Sequence, residues 1–200
     1  RFSKTGVVEA ELRLDRASIG LTLRQYPGWK TVQSQIIPLF SLLVAIHYRN
    51  GNGFDSVSMQ YLNRFIFTAE EASLVDWTSA VLANSPWVAT GFVNSARYWH
   101  SHTGIFELPS CGARRLININ ADSQDYLWHG RQVPSLQVLI LAGDQFNVEG
   151  YAQPLLEDND VSPFFGRVLE ELHNRTKDLL RLVLSSECRS MLNFDGEASR

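Results

Sequence analysis

His100 and His102 stand two positions apart in RYWHSHTGIF, a spacing that puts two imidazoles on the same face of a strand and within reach of one metal ion. Cys111, Glu107 or His129 would have to supply the third ligand. No Cys-x-x-Cys or His-Glu-x-x-His spacing accompanies the pair, so no metal is assigned, and turn or packing histidines are the plainer reading. A nucleophilic hydrolase would draw a serine together with His100 or His129 and Asp122 or Asp125, but the chain has no Gly-x-Ser-x-Gly elbow. The glycines of NGNGF lack the lysine and the strand-to-helix setting of a phosphate loop and read as a helix stop. The sequence therefore assigns no catalytic residue and no cofactor. A metal-dependent hydrolase using His100 and His102 stays as an alternative.

Rings and guanidinium groups carry the stronger signal. Trp87, Trp99 and Trp128, with Arg97, Arg114, Arg115 and Arg131 nearby, are the candidates for an interface or for nucleic-acid contact, and Tyr98 and Tyr126 belong to the same set. Such residues stack on bases in single-stranded nucleic acid, and they are also enriched where subunits meet. A net charge of −3 argues against tight, unaided nucleic-acid binding, which draws its affinity from cations placed against phosphates. Residues 1–30 hold six basic and three acidic side chains, whereas the stretch 149–160 holds four acids and no base. That asymmetry suits contact with a complementary copy or partner.

The elements that must position these residues follow from periodicity. Val8, Ala10, Leu12 and Leu14 alternate with charged residues, and Ile19, Leu21 and Leu23 resume the alternation, which predicts a hairpin. From Ser34 the pattern turns helical and apolar nearly all round until NGNG, so this helix is expected to be central. Asp55 opens an expected second helix through Met59, Leu62 and Ile66, and Thr68 with Glu71 marks the capping box of a third. Ser85 and Pro86 signal another helix start, with Val88, Phe92, Ala96 and Trp99 at helical spacing, which favours core over site for those rings. IFELP, RLININ and SLQVLILA read as short strands, and the residues from Gly143 to Asp160 as a long loop suited to contacts. Ser162 and Pro163 start a long amphipathic helix, with Glu171 and Arg175 expected as an i,i+4 pair on its wet side.

At 200 residues and 44% hydrophobic, the chain suffices for one sizeable core. The apolar run 36–46 is interrupted by Pro38 and Ser41 and falls short of a spanning helix, so no membrane span is expected. Two cysteines, Cys111 and Cys188, fit reduced thiols and a cytoplasmic setting.

The segments WKTVQSQIIPLFSLLVAIHYRNG and SPWVATGFVNSARYWHSHTGIFELP, within residues 29–109, resemble in texture the shell-forming part of coat proteins of partitiviruses, small double-stranded RNA viruses of plants and fungi. The resemblance implies a mainly helical, dimer-forming subunit that encloses RNA without catalysis, located in the virion or the host cytoplasm. It carries over no functional residue. The resulting expectation is an α+β, helix-dominated single domain with an N-terminal β-hairpin and a small central sheet, divided into a hairpin (1–28), a helical part (29–100), a strand and loop part (101–160) and a long helix (161–192). Its expected function is that of a non-enzymatic protein that self-associates, most simply a coat, nucleocapsid or matrix-type subunit of an RNA virus. Its expected partners are itself and, second, RNA. A single-stranded nucleic-acid-binding accessory protein is the other non-enzymatic alternative.

Overall fold

The computed structural model describes residues 10–15, 18–49, 55–67, 81–89, 97–109, 113–146, 161–192 and 194. The chain divides into two compact units: residues 1–55 with 153–170, and residues 56–152 with 171–200. The α+β class holds, but strand residues outnumber helical ones, so the expected dominance of helix is corrected.

In the first unit, β1 (Ala10–Leu14) pairs antiparallel with β2 (Ile19–Leu23), as the alternation predicts. Asp15 closes the turn: its carboxylate accepts from the backbone N–H of Ser18 at 2.7 Å and from its hydroxyl at 2.8 Å. Leu12 and Leu14 remain 47% and 59% exposed, so both faces of this strand are wet. Gly28, at φ +88°, then turns the chain into α1 (Trp29–Arg49). Residues Val32–Ile36 of α1 are wound as a π-helical turn immediately before Pro38, whose ring would clash with the carbonyl four residues back in a regular α-helix. Beyond it, Ile37, Ser41, Val44 and Ala45 are buried, and the Phe40 ring lies 5.4 Å from that of Phe165. The expected central helix is instead two-sided, since Leu39, Leu42 and Ile46 are exposed. By length and composition alone α1 is also apolar enough to cross a membrane, although the expected interruptions at Pro38 and Ser41 lie inside it.

The second unit is built on a four-stranded antiparallel sheet ordered β3-β6-β5-β4, from β3 (Ser56–Ile66), β4 (Trp99–Glu107), β5 (Arg114–Trp128) and β6 (Arg131–Gln145). Strands β4, β5 and β6 follow one another in space, and β3 lies beside the last of them, a Greek-key connection. The stretch expected as a second helix is therefore β3. Its true period is two: Val57, Met59, Tyr61 and Phe65 share the inner face, whereas Leu62 is 52% exposed on the other. The expected helix after Thr68 and most of the one after Pro86 lie outside the described residues, as does Cys111. Trp99, expected on that latter helix, begins β4 instead.

One face of the sheet is the core. Ile117, Ile119 and Ala121 of β5 stand opposite Ala142, Ile140 and Val138 of β6, and all six are at most 1% exposed. Each large aliphatic side chain so placed contributes about 1.5–3 kcal/mol. This face meets the second half of α2 (Val161–Val183), where Leu172, Thr176, Leu179 and Val183 are buried at helical spacing. The expected single long helix breaks at Leu184, which bridges to Leu82, and Ser185 caps a short α3 (Ser186–Met191) by accepting from the Cys188 N–H at 3.0 Å.

Charge also crosses this core. Glu107, Arg115 and Asp144 stand side by side on β4, β5 and β6. The Arg115 guanidinium donates to Asp144 at 2.6 and 2.8 Å and to Glu171 of α2 at 3.2 Å, while Arg175 donates to Glu107. Glu171 and Arg175 thus do not pair with each other on a wet side. They sit one turn apart facing the sheet, and each meets the opposite charge presented there.

Candidate interaction surface

The register explains why one end of the sheet protrudes. β4 begins at Trp99, opposite Ser123, and β3 ends at Ile66, opposite Ser135. Strands β5 and β6 continue past both for four more pairs, from Asp125–Pro134 to Trp128–Arg131, as a two-stranded ribbon roughly 13 Å long. Its turn is the pair His129 and Gly130, at φ 48° and 78°, the left-handed dihedrals that a tight two-residue hairpin requires.

A bare ribbon of this length is marginal in water, and here its base is clamped. The Arg64 guanidinium lies 3.9 Å from the centre of the Tyr126 ring and donates to Gln137. On the opposite face of the same strand, Asp125 accepts from Arg97 at 3.0 and 3.3 Å and from the Tyr98 hydroxyl at 2.9 Å, and Arg97 lies over the Tyr98 ring at 5.3 Å. The hydrogen bond from Tyr98 holds the Asp125 carboxyl below its ordinary range, and the bond to Asp125 raises both Arg97 and Tyr98. The Ser135 hydroxyl donates to the Gln124 carbonyl at 2.8 Å, tying the two strands together. Beyond the clamp the side chains are open, Leu127 being 60% exposed and Trp128 47%, and the Tyr98 ring within the clamp is itself 57% exposed. The Trp128 ring meets the His129 ring edge-on at 4.6 Å, while Arg131 is exposed directly opposite Trp128.

The seven candidate residues separate accordingly. Arg97, Trp128 and Arg131 gather at the ribbon. Trp99, 8% exposed, belongs to the core, and Arg115 to the buried ion network. Arg114 lies on the outer face of the sheet, 4.4 Å over the Phe106 ring and bonded to Gln145 at 2.9 and 3.1 Å. Trp87 is half-buried, its backbone N–H donating to the Ser85 hydroxyl at 3.1 Å. Arg64 and Leu127 were not anticipated as members of the surface.

His100 and His102 do share the outer face of β4, with ring centres 6.4 Å apart, and His100 Nδ1 pairs with Asp122. Two of the three suggested third ligands are elsewhere: Glu107 is at the far end of β4 on the inner face, and His129 is seven residues beyond Asp122, roughly 23 Å along β5. Among the described residues no group of three or more His, Cys, Asp and Glu side chains could hold a metal ion. Of the triad candidates, Asp122 orients His100 but Asp125 is committed to Arg97 and Tyr98. The adjacent Ser101 and Ser123 are buried on the opposite face of the sheet. No family model, no curated protein and no solved structure matches this chain.

Proposed function

We propose that the protein is a non-enzymatic subunit that works by contact, associating with further copies of itself, and that the β5–β6 ribbon is one of its contact surfaces. The observation that carries this reading is the ribbon tip, where Leu127 and Trp128 stand 60% and 47% exposed above a clamped base. Exposed rings backed by arginine are the side chains that dominate binding energy between proteins. A phosphate backbone would be met less well, because Arg97 is already bonded to Asp125 and Arg64 is stacked on Tyr126 and bonded to Gln137. This commitment of the guanidinium groups favours protein over nucleic acid as the partner. The separation of basic and acidic stretches along the chain supports contact between copies. A coat or nucleocapsid subunit is the finer form of the same reading, and it requires assemblies larger than a dimer.

Light scattering over a concentration series is the test. The parent chain is expected to gain mass as concentration rises, and Leu127→Ser with Trp128→Ala to weaken that association by about tenfold or more without changing the fold. A parent chain that stays monomeric throughout would remove the reading. Binding of a fluorescent single-stranded oligonucleotide that falls steeply with salt and is lost in Trp128→Ala would replace it with the nucleic-acid alternative.

A further inference from the structure

The outer face of the second unit's sheet carries an imidazole pair that the ribbon does not use. His100 and His102 project from β4, the edge strand, and both are exposed, with ring centres 6.4 Å apart. Asp122 stands directly opposite His100 and engages its Nδ1, which leaves Nε2 as the nitrogen able to bind a ligand. A carboxylate on the second ring nitrogen is the arrangement that fixes the tautomer of metal-binding histidines and raises their basicity. Asn120 stands directly opposite His102, and its buried side-chain oxygen has no hydrogen-bond partner. Among the described residues the His102 ring makes no hydrogen bond either, so this oxygen is an acceptor for its N–H. Each ring of the pair thus has an oxygen acceptor facing it from β5.

We infer that two copies of the chain share one zinc-class divalent ion, held by the His100 and His102 pair of each about a two-fold axis through the metal. This rests on the self-association proposed above and adds to it a contact controlled by metal, which the ribbon contact does not need. Coordination number carries the argument. A structural zinc site takes four ligands, and among the described residues no third His, Cys, Asp or Glu side chain joins the pair to make a site within one copy. A second pair related by symmetry supplies the missing two and closes a tetrahedral shell. Geometry permits it: two imidazoles on one tetrahedral ion have centres roughly 5 Å apart, so the pair must close by about 1 Å, which rotation of the unbonded His102 ring provides. Charge permits it as well. The adjoining outer-face positions Gly104, Asn118, Asn120 and Leu139 hold no cation, and Asp122 sets a negative charge beside the ion. Imidazole ligands suit zinc, copper and nickel, whereas magnesium selects oxygen. A closed shell leaves no position for a substrate, in keeping with a non-enzymatic role.

Sedimentation velocity and titration calorimetry on the untagged full chain, first stripped of metal, test this. Zinc chloride is expected to bind at one ion per two chains and to lower the dimer dissociation constant by about tenfold or more, and magnesium chloride to do neither. His102→Ala is expected to abolish the zinc effect with an unchanged circular dichroism spectrum, Asp122→Asn to weaken zinc binding by about 10–100-fold, and Cys111→Ser to change nothing. One zinc per chain with no gain in mass overturns the shared site. So does a zinc effect lost in Cys111→Ser, which would place the third ligand in the same copy. A zinc effect that survives both His100→Ala and His102→Ala overturns the assignment of the ligands. Association measured in EDTA reads the metal-free contact, so the two readings fail separately: association that zinc leaves unchanged overturns this inference alone, whereas a chain that stays monomeric with and without zinc overturns both.

Discussion

Lowering the pH should destabilise the second unit through one imidazole. His173 is 8% exposed on α2, with Nδ1 2.8 Å from the Tyr61 hydroxyl and Lys177 one turn further along. Burial, and secondly the positive charge of Lys177, push its pKa down from 6.5 to about 4. The unfolded chain therefore binds a proton near pH 6.5 that the fold refuses until about pH 4. The sign follows: the contribution is fully present above pH 6.5 and is lost as the pH falls from 6.5 towards 4. The linkage relation gives a loss of about 2 kcal/mol at pH 5 and about 3 kcal/mol at pH 4 relative to neutral pH. Urea unfolding at several pH values, compared between the parent and His173→Gln, isolates this term from the carboxylates that titrate in the same range. The parent should lose about 2 kcal/mol more than the variant between pH 7 and pH 5. Equal losses in the two proteins, or a His173 ring resonance that titrates near the ordinary value, would refute the reasoning.

Two further predictions concern stability. Asp144→Asn removes the main partner of the buried Arg115 and should cost about 3–5 kcal/mol in urea unfolding, while Arg115→Met together with Asp144→Leu should recover most of it; a single-variant loss below about 1 kcal/mol would show the charge to be solvated. Gly130→Ala, at φ +78°, should cost about 1 kcal/mol in the same assay, and Gly130→Asn less, because asparagine tolerates the left-handed region.

How much of this was legible in the sequence depended on whether a residue's neighbours along the chain are also its neighbours in space. The hairpin of β1 and β2 could be read because its charged and apolar residues alternate strictly. In β3 the alternation of Val57, Met59 and Tyr61 is masked by apolar Leu62 and Ile66 on the other face, and Met59, Leu62 and Ile66 together mimic a helical stripe. The ribbon was missed because Asp122, Ser123, Gln124 and Asp125 read as a polar loop, although the strand continues through them to Trp128. The one local cue is His129–Gly130 between alternating residues, a hairpin signal. The shared strand face of His100 and His102 followed from spacing alone. The fate of the arginines did not: whether Arg115 is buried against Asp144 or Arg97 is held at the surface by Asp125 is decided by strand pairing across 28 or 29 residues.

The row Glu107, Arg115 and Asp144, answered by Glu171 and Arg175, works as a key cut for one lock. Greasy side chains would let the helix slide by a turn and still find cover. Moving this helix by one turn would set Arg175 against Arg115 or Glu171 against Glu107, like charge against like, so the alignment of helix and strands is chosen by penalty more than by attraction. Replacing the helix with another of equal oiliness would then give a looser molecule, whereas exchanging opposite signs in matched sets, strand and helix together, should leave the alignment intact.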